Sequence, residues 1–398
     1  MSHPALRDHI GATSRLLRRL CAVTCWLMEE MKRYLPTLDG WRALAILMVI
    51  LFHDGPHSMG RVGTGWFQEN GLRGVDIFFS ISGLLICSRL LAEEAEQGKI
   101  GLQGFYIRRA FRILPPAFCY LAVLGILGLA GVLPLIPKEW FAALFFYRNY
   151  SRLSTIPGHM DWYSGHFWSL AVEEHFYLIL PSILVFVPRS WRIAVLGGMV
   201  AVVAAWRIYR QQKLAWIFLL QHTDMRLDAL LVPAIIAILL TQPRSRSILL
   251  AVARFWLVPS AVLIYLVSSG QFPVITPMAE SFMLPIVLLG TVAYPDGLFA
   301  RFLETLPLRW VGRISYSLYL WQQMFFNEHF YSWFKPLGFV QAFPMRWLML
   351  FGCAAASYYL VERPSIRMGH RLAALVRGGQ TRELRALDLS TSKGPNPD

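Results

Sequence analysis

Arg42 and His53 stand eleven residues apart in YLPTLDGWRALAILMVILFH (34–53), an otherwise apolar stretch. Eleven steps of about 100° return to nearly the same helix face, and a rise of about 1.5 Å per residue separates the two side chains by about 16 Å along the axis. One face thus carries a cation near one end and a titratable imidazole well inside, where ionisable groups are costly unless they serve a function. Further along, FYIRRAFRILPPAF packs Arg108, Arg109 and Arg112 into little more than one helical turn, with Arg108 and Arg112 on a shared face. Such a cluster reads as a topology signal or anionic-lipid contact, or as a phosphate clamp, for which the planar guanidinium fork is well suited. Glu173 and Glu174 fall inside HFWSLAVEEHFYLILP. Each costs roughly 2.5 kcal/mol or more near a bilayer centre, so the pair should face the bundle interior or water. Because neighbours on a helix point about 100° apart, one carboxylate is expected to hold structure while the other lines a cavity. In GVDIFFSISGLLI, Asp76 opens a helix whose Ser80, Ser82 and Gly83 favour close packing. MRLDALLVPA and VERP place Arg226 with Asp228 and Glu362 with Arg363, where helix-end ion pairs are expected.

The elements that position these residues follow from hydropathy. Of 398 residues, 56% are hydrophobic and 16% charged, and the mean hydropathy is +0.45. This composition marks a polytopic membrane protein, so the fold class is all-α, a transmembrane helix bundle. Apolar runs near bilayer length occur at about 36–53, 75–91, 113–132, 168–187, 193–206, 226–241, 248–267, 276–294, 314–333 and 342–361. About ten transmembrane helices put both termini on one side. With the N-terminus inside, the inner segments hold 25 Lys and Arg against 10 outside, so both termini are expected in the cytoplasm of a multi-pass inner-membrane protein. That asymmetry also accounts for the net charge of +14 without nucleic acid, for which there is no soluble basic domain. Residues 1–33 form a basic N-terminal segment, 34–365 the transmembrane domain, and 366–398 a cytoplasmic, largely disordered tail. Cys21, Cys25, Cys87, Cys119 and Cys353 are scattered, so packing is their expected role and no metal is expected. Trp66, Phe67, Trp162, Tyr163, Phe167 and Trp168 suit an interfacial aromatic belt, or stacking on sugar rings.

LDGWRALAILMVILFH, GVDIFFSISGLLI, YIRRAFRILP, WSLAVEEHFYLILP, RLDALL, ISYSLYLWQ and VERP follow one another in an order and spacing that resembles the integral-membrane acyltransferase-3 family. The likeness runs from about residue 34 to 365. It implies a bundle of about ten helices that takes an acyl group, usually acetyl from acetyl-CoA, on the cytoplasmic side and delivers it to a hydroxyl of an extracytoplasmic carbohydrate or other acceptor. The family's arginine-ten residues-histidine motif falls on Arg42 and His53, and its double-arginine motif on Arg108, Arg109 and Arg112. Some members carry a C-terminal hydrolase-like domain, which is not expected here. Two departures stand out: His175 replaces the glutamine of WSLSVEEQFYL, and Gln322 replaces the histidine of YLWH, so no histidine role carries over there.

The likeness and the residues agree chemically. Acyl transfer from a thioester needs a base for the hydroxyl proton and donors for the oxyanion, and an imidazole with an ordinary pKa near 6.5 suits the first task. His53 is the expected general base, while Arg42, Arg108, Arg109 and Arg112 bind the phosphates of acyl-CoA. Asp39, Asp76, Glu173 and Glu174 are candidates to orient His53 or position the acceptor, and the sequence does not choose among them. A covalent route, with His53, Ser82 or Ser315 as acyl carrier, stays open. So does a transporter of a lipid-linked glycan or small solute, although the sequence lacks the internal repeat such proteins favour. The resemblance leaves the acceptor open among exopolysaccharide, lipopolysaccharide, lipo-oligosaccharide, peptidoglycan and macrolides, with envelope glycan the default.

Overall fold

The computed structural model describes residues 34–54, 66, 70–133, 136–151, 162–211, 221–272, 275–326 and 336–391, with side chains as far as residue 377. The N-terminal segment 1–33 and Phe67 lie outside them. Every regular element among the described residues is a helix, in keeping with the polytopic all-α bundle expected from hydropathy.

Helix α1 (Pro36–Asp54) opens with proline at its first position and Asp39 in its first turn, both favoured at a helix N-terminus. A 3₁₀ turn leads into α2 (Gly74–Gln97), which Gly98 ends in the left-handed region at φ 72°. Helix α3 (Leu102–Leu129) carries Pro115 and Pro116 inside it. The short α4 (Pro137–Leu144) precedes α5 (Phe167–Phe186) and α6 (Arg192–Gln211). Helix α7 (Asp228–Leu240) turns by 120° into α8 (Pro243–Ala253), and α9 (Leu257–Ser269) and α10 (Ile275–Ala293) follow. Two short helices, α11 (Leu298–Leu303) and α12 (Leu306–Arg313), lead to α13 (Ser315–Phe325). Helix α14 (Met345–Ser357) passes through a π-helical turn at Tyr358–Glu362 into α15 (Arg363–Thr391). The first part of the predicted tail is therefore helix, packed along α3.

Six described helices are long and apolar enough to cross a bilayer, or seven if α7 and α8 form one bent span. The other apolar runs of the sequence fall on shorter pieces. The run at 248–267 is split between α8 and α9, and that at 314–333 is helical to Phe325 before leaving the described residues. Hydropathy detects apolar length but not the breaks within it.

The core is built around α7, almost every residue of which is buried, against α2, α6 and α10. Small residues make this closeness possible. A Cβ added to Gly83 of α2 would lie 2.4 Å from the Leu230 carbonyl oxygen of α7, and one on Gly312 of α12 would lie 1.8 Å from the Asp39 carbonyl oxygen of α1. Helices in lipid associate through such backbone contact rather than through a hydrophobic drive. Gly83→Ala is therefore expected to lower stability by about 1–3 kcal/mol. Gly197→Ala, whose added Cβ meets nothing within 4 Å, should leave the melting temperature of the detergent-solubilised protein unchanged.

Candidate active site

Four guanidinium groups from three helices converge on one internal cavity: Arg42 of α1, Arg89 of α2, and Arg109 and Arg112 of α3. Only two carboxylates line it, Glu173 and Glu174 of α5. Each charged neighbour is held differently. Arg42 donates to Asp39 at 3.2 Å, and Asp39 also accepts from the Tyr34 hydroxyl at 2.6 Å. Arg109 lies over the rings of Tyr177 (5.2 Å) and Phe105 (5.9 Å), a cation–π arrangement. Glu173 accepts from the Tyr177 hydroxyl at 2.9 Å and from Ser82 at 3.2 Å. Arg89 and Arg112 have no ion pair among the described residues.

At one end the cavity opens, past Arg89, Arg109 and Arg112, into a vestibule of about 600 Å³ walled by α2, α3, α7 and α15. Arg108 belongs to this vestibule and not to the inner cavity, and it donates to Glu93 at 3.3 Å. His370 of α15 also lines the vestibule. Partial desolvation, together with Arg108, Arg89 and Arg112, holds its imidazole below the ordinary range.

At the other end the cavity closes on Ser169 and Tyr319, which share a hydrogen bond of 2.6 Å. One turn further along α13, the Gln322 Oε1 lies 2.9 Å from Nδ1 of His53. An amide oxygen accepts only a donated proton, so this contact places the hydrogen on Nδ1 and leaves Nε2 as the basic nitrogen. Trp162 meets the same imidazole edge-on at 5.3 Å. The next residue, Gln323, accepts from His166 through both its backbone N–H (3.0 Å) and its Nδ1 (2.6 Å). Beside His53, Asp54 pairs with Arg346 at 2.8 Å, both almost fully buried.

The residues singled out from sequence therefore separate into three places. Arg42, Arg109, Arg112, Glu173 and Glu174 share the cavity, with Ser82 and Ser315 on its wall. Arg108 lies in the vestibule, and His53 one helical turn beyond the inner end. Asp39 stands behind Arg42, about 21 Å along α1 from His53 at 1.5 Å per residue. Asp76 pairs with the buried Arg226 of the turn before α7. Expected ion pairs are rearranged accordingly. Arg226 binds Asp76 and not Asp228, which pairs with Arg207 and accepts from Ser281. Glu362 accepts from Ser317 at 2.7 Å. These helix-end charges point across the bundle to other helices. Trp162, Tyr163, Phe167 and Trp168 are interior and do not form a belt.

Sequence reasoning missed Arg89, Tyr319, Ser169, His166 and Gln323, and saw Gln322 only as a lost imidazole. Arg89 falls within the apolar run at 75–91 but in none of the motifs singled out. Breaking the Asp76–Arg226 pair strands a buried charge. Asp76→Ala is expected to cost about 3–5 kcal/mol, read as a lower midpoint in thermal unfolding.

Comparison with known proteins now adds to this geometry. O-acetyltransferase OatA of Staphylococcus aureus (strain NCTC 8325 / PS 47) is 28% identical over 374 residues, covering 86% of this chain and 59% of OatA. SACOL0978 of Staphylococcus aureus (strain COL) is 29% identical over 315 residues, covering 73% and 50%. The chain thus spans between half and three fifths of the length of these relatives. No solved structure matches. Residues 35–362, which include the whole cavity, match the acyltransferase-3 family model, described as an acyltransferase domain, and the chain belongs to that family.

Proposed function

We propose that this protein is a membrane O-acetyltransferase that moves acetyl from cytoplasmic acetyl-CoA to a hydroxyl of an envelope or exported glycan. The observation that carries the reading is the unmatched positive charge of the cavity. Arg89 and Arg112 have no ion pair among the described residues, and with Arg109 they line both cavity and vestibule, while Glu173 and Glu174 line the cavity alone and Arg42 is paired with Asp39. A cation excess inside a bundle is costly unless an anionic ligand completes it, and a diphosphate is such a ligand.

In this reading the diphosphate of acetyl-CoA lies against Arg42, Arg89, Arg109 and Arg112. The pantetheine arm runs past Tyr177 and Tyr319 toward His53, about 16 Å from Arg42 along α1. The acceptor hydroxyl meets the thioester carbonyl there. His53 Nε2 takes the hydroxyl proton as the new C–O bond forms, the C–S bond breaks, and the imidazolium returns the proton to the leaving thiolate. Gln322 holds His53 in the tautomer this requires. Asp39 steadies Arg42, and Glu173 and Glu174 place Arg109 and the cavity wall. The basic residues at the vestibule end support a reading in which that end faces the cytoplasm of a bacterial inner membrane, with both termini on the same side.

Two measurements test the chemistry. Membranes carrying the wild type should transfer labelled acetyl from acetyl-CoA to envelope polysaccharide, and His53→Ala should reduce that rate by at least about a hundredfold. Equal labelling would remove His53 from the chemistry, and none with either would remove acetyl-CoA as donor. Gln322→Glu keeps an acceptor facing Nδ1 and should retain most of kcat, whereas Gln322→Met should lower kcat by about tenfold or more with little change in KM for acetyl-CoA. Equal losses in both variants would assign Gln322 a donor role instead.

A further inference from the structure

Helix α15 begins beyond the stretch matched to the family, yet it builds one wall of the donor vestibule. It contributes Ile366, His370 and Arg377, which face Arg108 of α3 and Glu93 of α2. Its placement is fixed by close packing. A Cβ on Gly369 would come within 2.6 Å of the Phe111 Cβ, and one on Gly104 would lie 3.9 Å from the Ala373 Cβ. The turn carrying His370 is thereby pressed onto α3.

Between these walls the Glu93 carboxylate is shared. Its Oε2 accepts from Arg108 at 3.3 Å and its Oε1 from Arg377 at 3.2 Å. A carboxylate held between guanidinium groups from two helices occupies the place of an anion. The donor proposed above supplies one. With the pantetheine arm directed inward and the diphosphate at the neck, the adenosine end must lie further out. In CoA that end carries a separate phosphate on the ribose 3′ oxygen. The neck arginines are engaged by the diphosphate, so the 3′-phosphate needs its own cations, and the vestibule holds them at its outer side.

We propose that Arg377 and His370 of α15, together with Arg108, form a subsite for the ribose 3′-phosphate of the CoA donor, and that Glu93 occupies it until the donor displaces it. The inference rests on the acetyl-CoA reading and adds to it a residue set outside the family match. Displacement costs the two hydrogen bonds of one singly charged carboxylate and gains a dianion, whose charge-assisted hydrogen bonds are the stronger. The subsite distinguishes CoA from its 3′-dephospho form, a discrimination the neck arginines cannot make.

The experiment compares acetyl-CoA with acetyl-3′-dephospho-CoA, using the full chain in vesicles with and without phosphatidylglycerol. Arg377→Ala should raise KM for acetyl-CoA by about tenfold while leaving KM for the dephospho donor and both kcat values unchanged. Glu93→Gln should lower KM for acetyl-CoA alone. Binding is measured in parallel with adenosine 3′,5′-bisphosphate and ADP, so the result does not depend on turnover. The wild type should prefer the bisphosphate, and Arg377→Ala should lose that preference. If the wild type transfers no acetyl yet shows this preference, the acetyl-transfer reading fails and the phosphate subsite stands. Equal KM changes for both donors, no bisphosphate preference, or an Arg377 effect confined to phosphatidylglycerol vesicles would overturn the subsite, the last assigning these cations to a lipid headgroup.

Discussion

A guanidinium inside an apolar bundle must meet a carboxylate, a ring face or a polar cavity, because its charge cannot be left in hydrocarbon. Among the described residues the fully buried arginines away from the cavity are matched closely. Arg148 meets Glu139, Arg192 meets Glu94, Arg207 meets Asp228, Arg226 meets Asp76 and Arg346 meets Asp54. The cavity follows a different rule. Arg109 is held mainly by the faces of Tyr177 and Phe105, and Arg89 and Arg112 are left to the cavity itself. The contrast separates paired from unpaired charge within one side-chain type.

Holding those matched pairs in register requires helices that approach to backbone contact. Gly83 against α7 and Gly312 against α1 provide that approach, and α7 runs through the middle as an almost wholly buried rod. The Asp76–Arg226 and Arg207–Asp228 pairs tie α2 and α6 to the start of α7. This fixes the helix from which Ser82 and Arg89 face the cavity. Packing and charge matching thus act on the same helices, and the cavity is where both are relaxed.

Along the proposed path the polar character changes in order. The vestibule offers guanidinium groups and His370, the cavity offers aromatic and hydroxyl groups at Tyr177, Ser169 and Tyr319, and the inner end offers amides and imidazoles. A donor with phosphates at one end and a thioester at the other has the same polarity. The glutamine pair Gln322 and Gln323 belongs to this design. Each presents its amide oxygen to a different histidine, so adjacent residues of one helix set the tautomers of His53 and His166.

The sequence alone determined the all-helical membrane class, the family, and the residues whose cost in lipid demands a reason. Arg42, Arg109, Arg112, Glu173 and Glu174 were legible because a charge in an apolar run is visible without knowing what it faces. What charges face was not legible, since partners come from helices distant in the chain. Asp76 looked like a member of the site and is the partner of Arg226, 150 residues away. Arg89 stood in no motif and lines the cavity, and Gln322 looked like a loss and holds His53. Hydropathy likewise located the apolar length of the run at 248–267 but not its break, which depends on how α8 and α9 pack against α10. Composition and periodicity are properties of one segment, and they fixed which side chains are expensive. Only the tertiary structure decided which of those charges are matched and which line the cavity without an ion pair among the described residues, because pairing is a property of two segments at once.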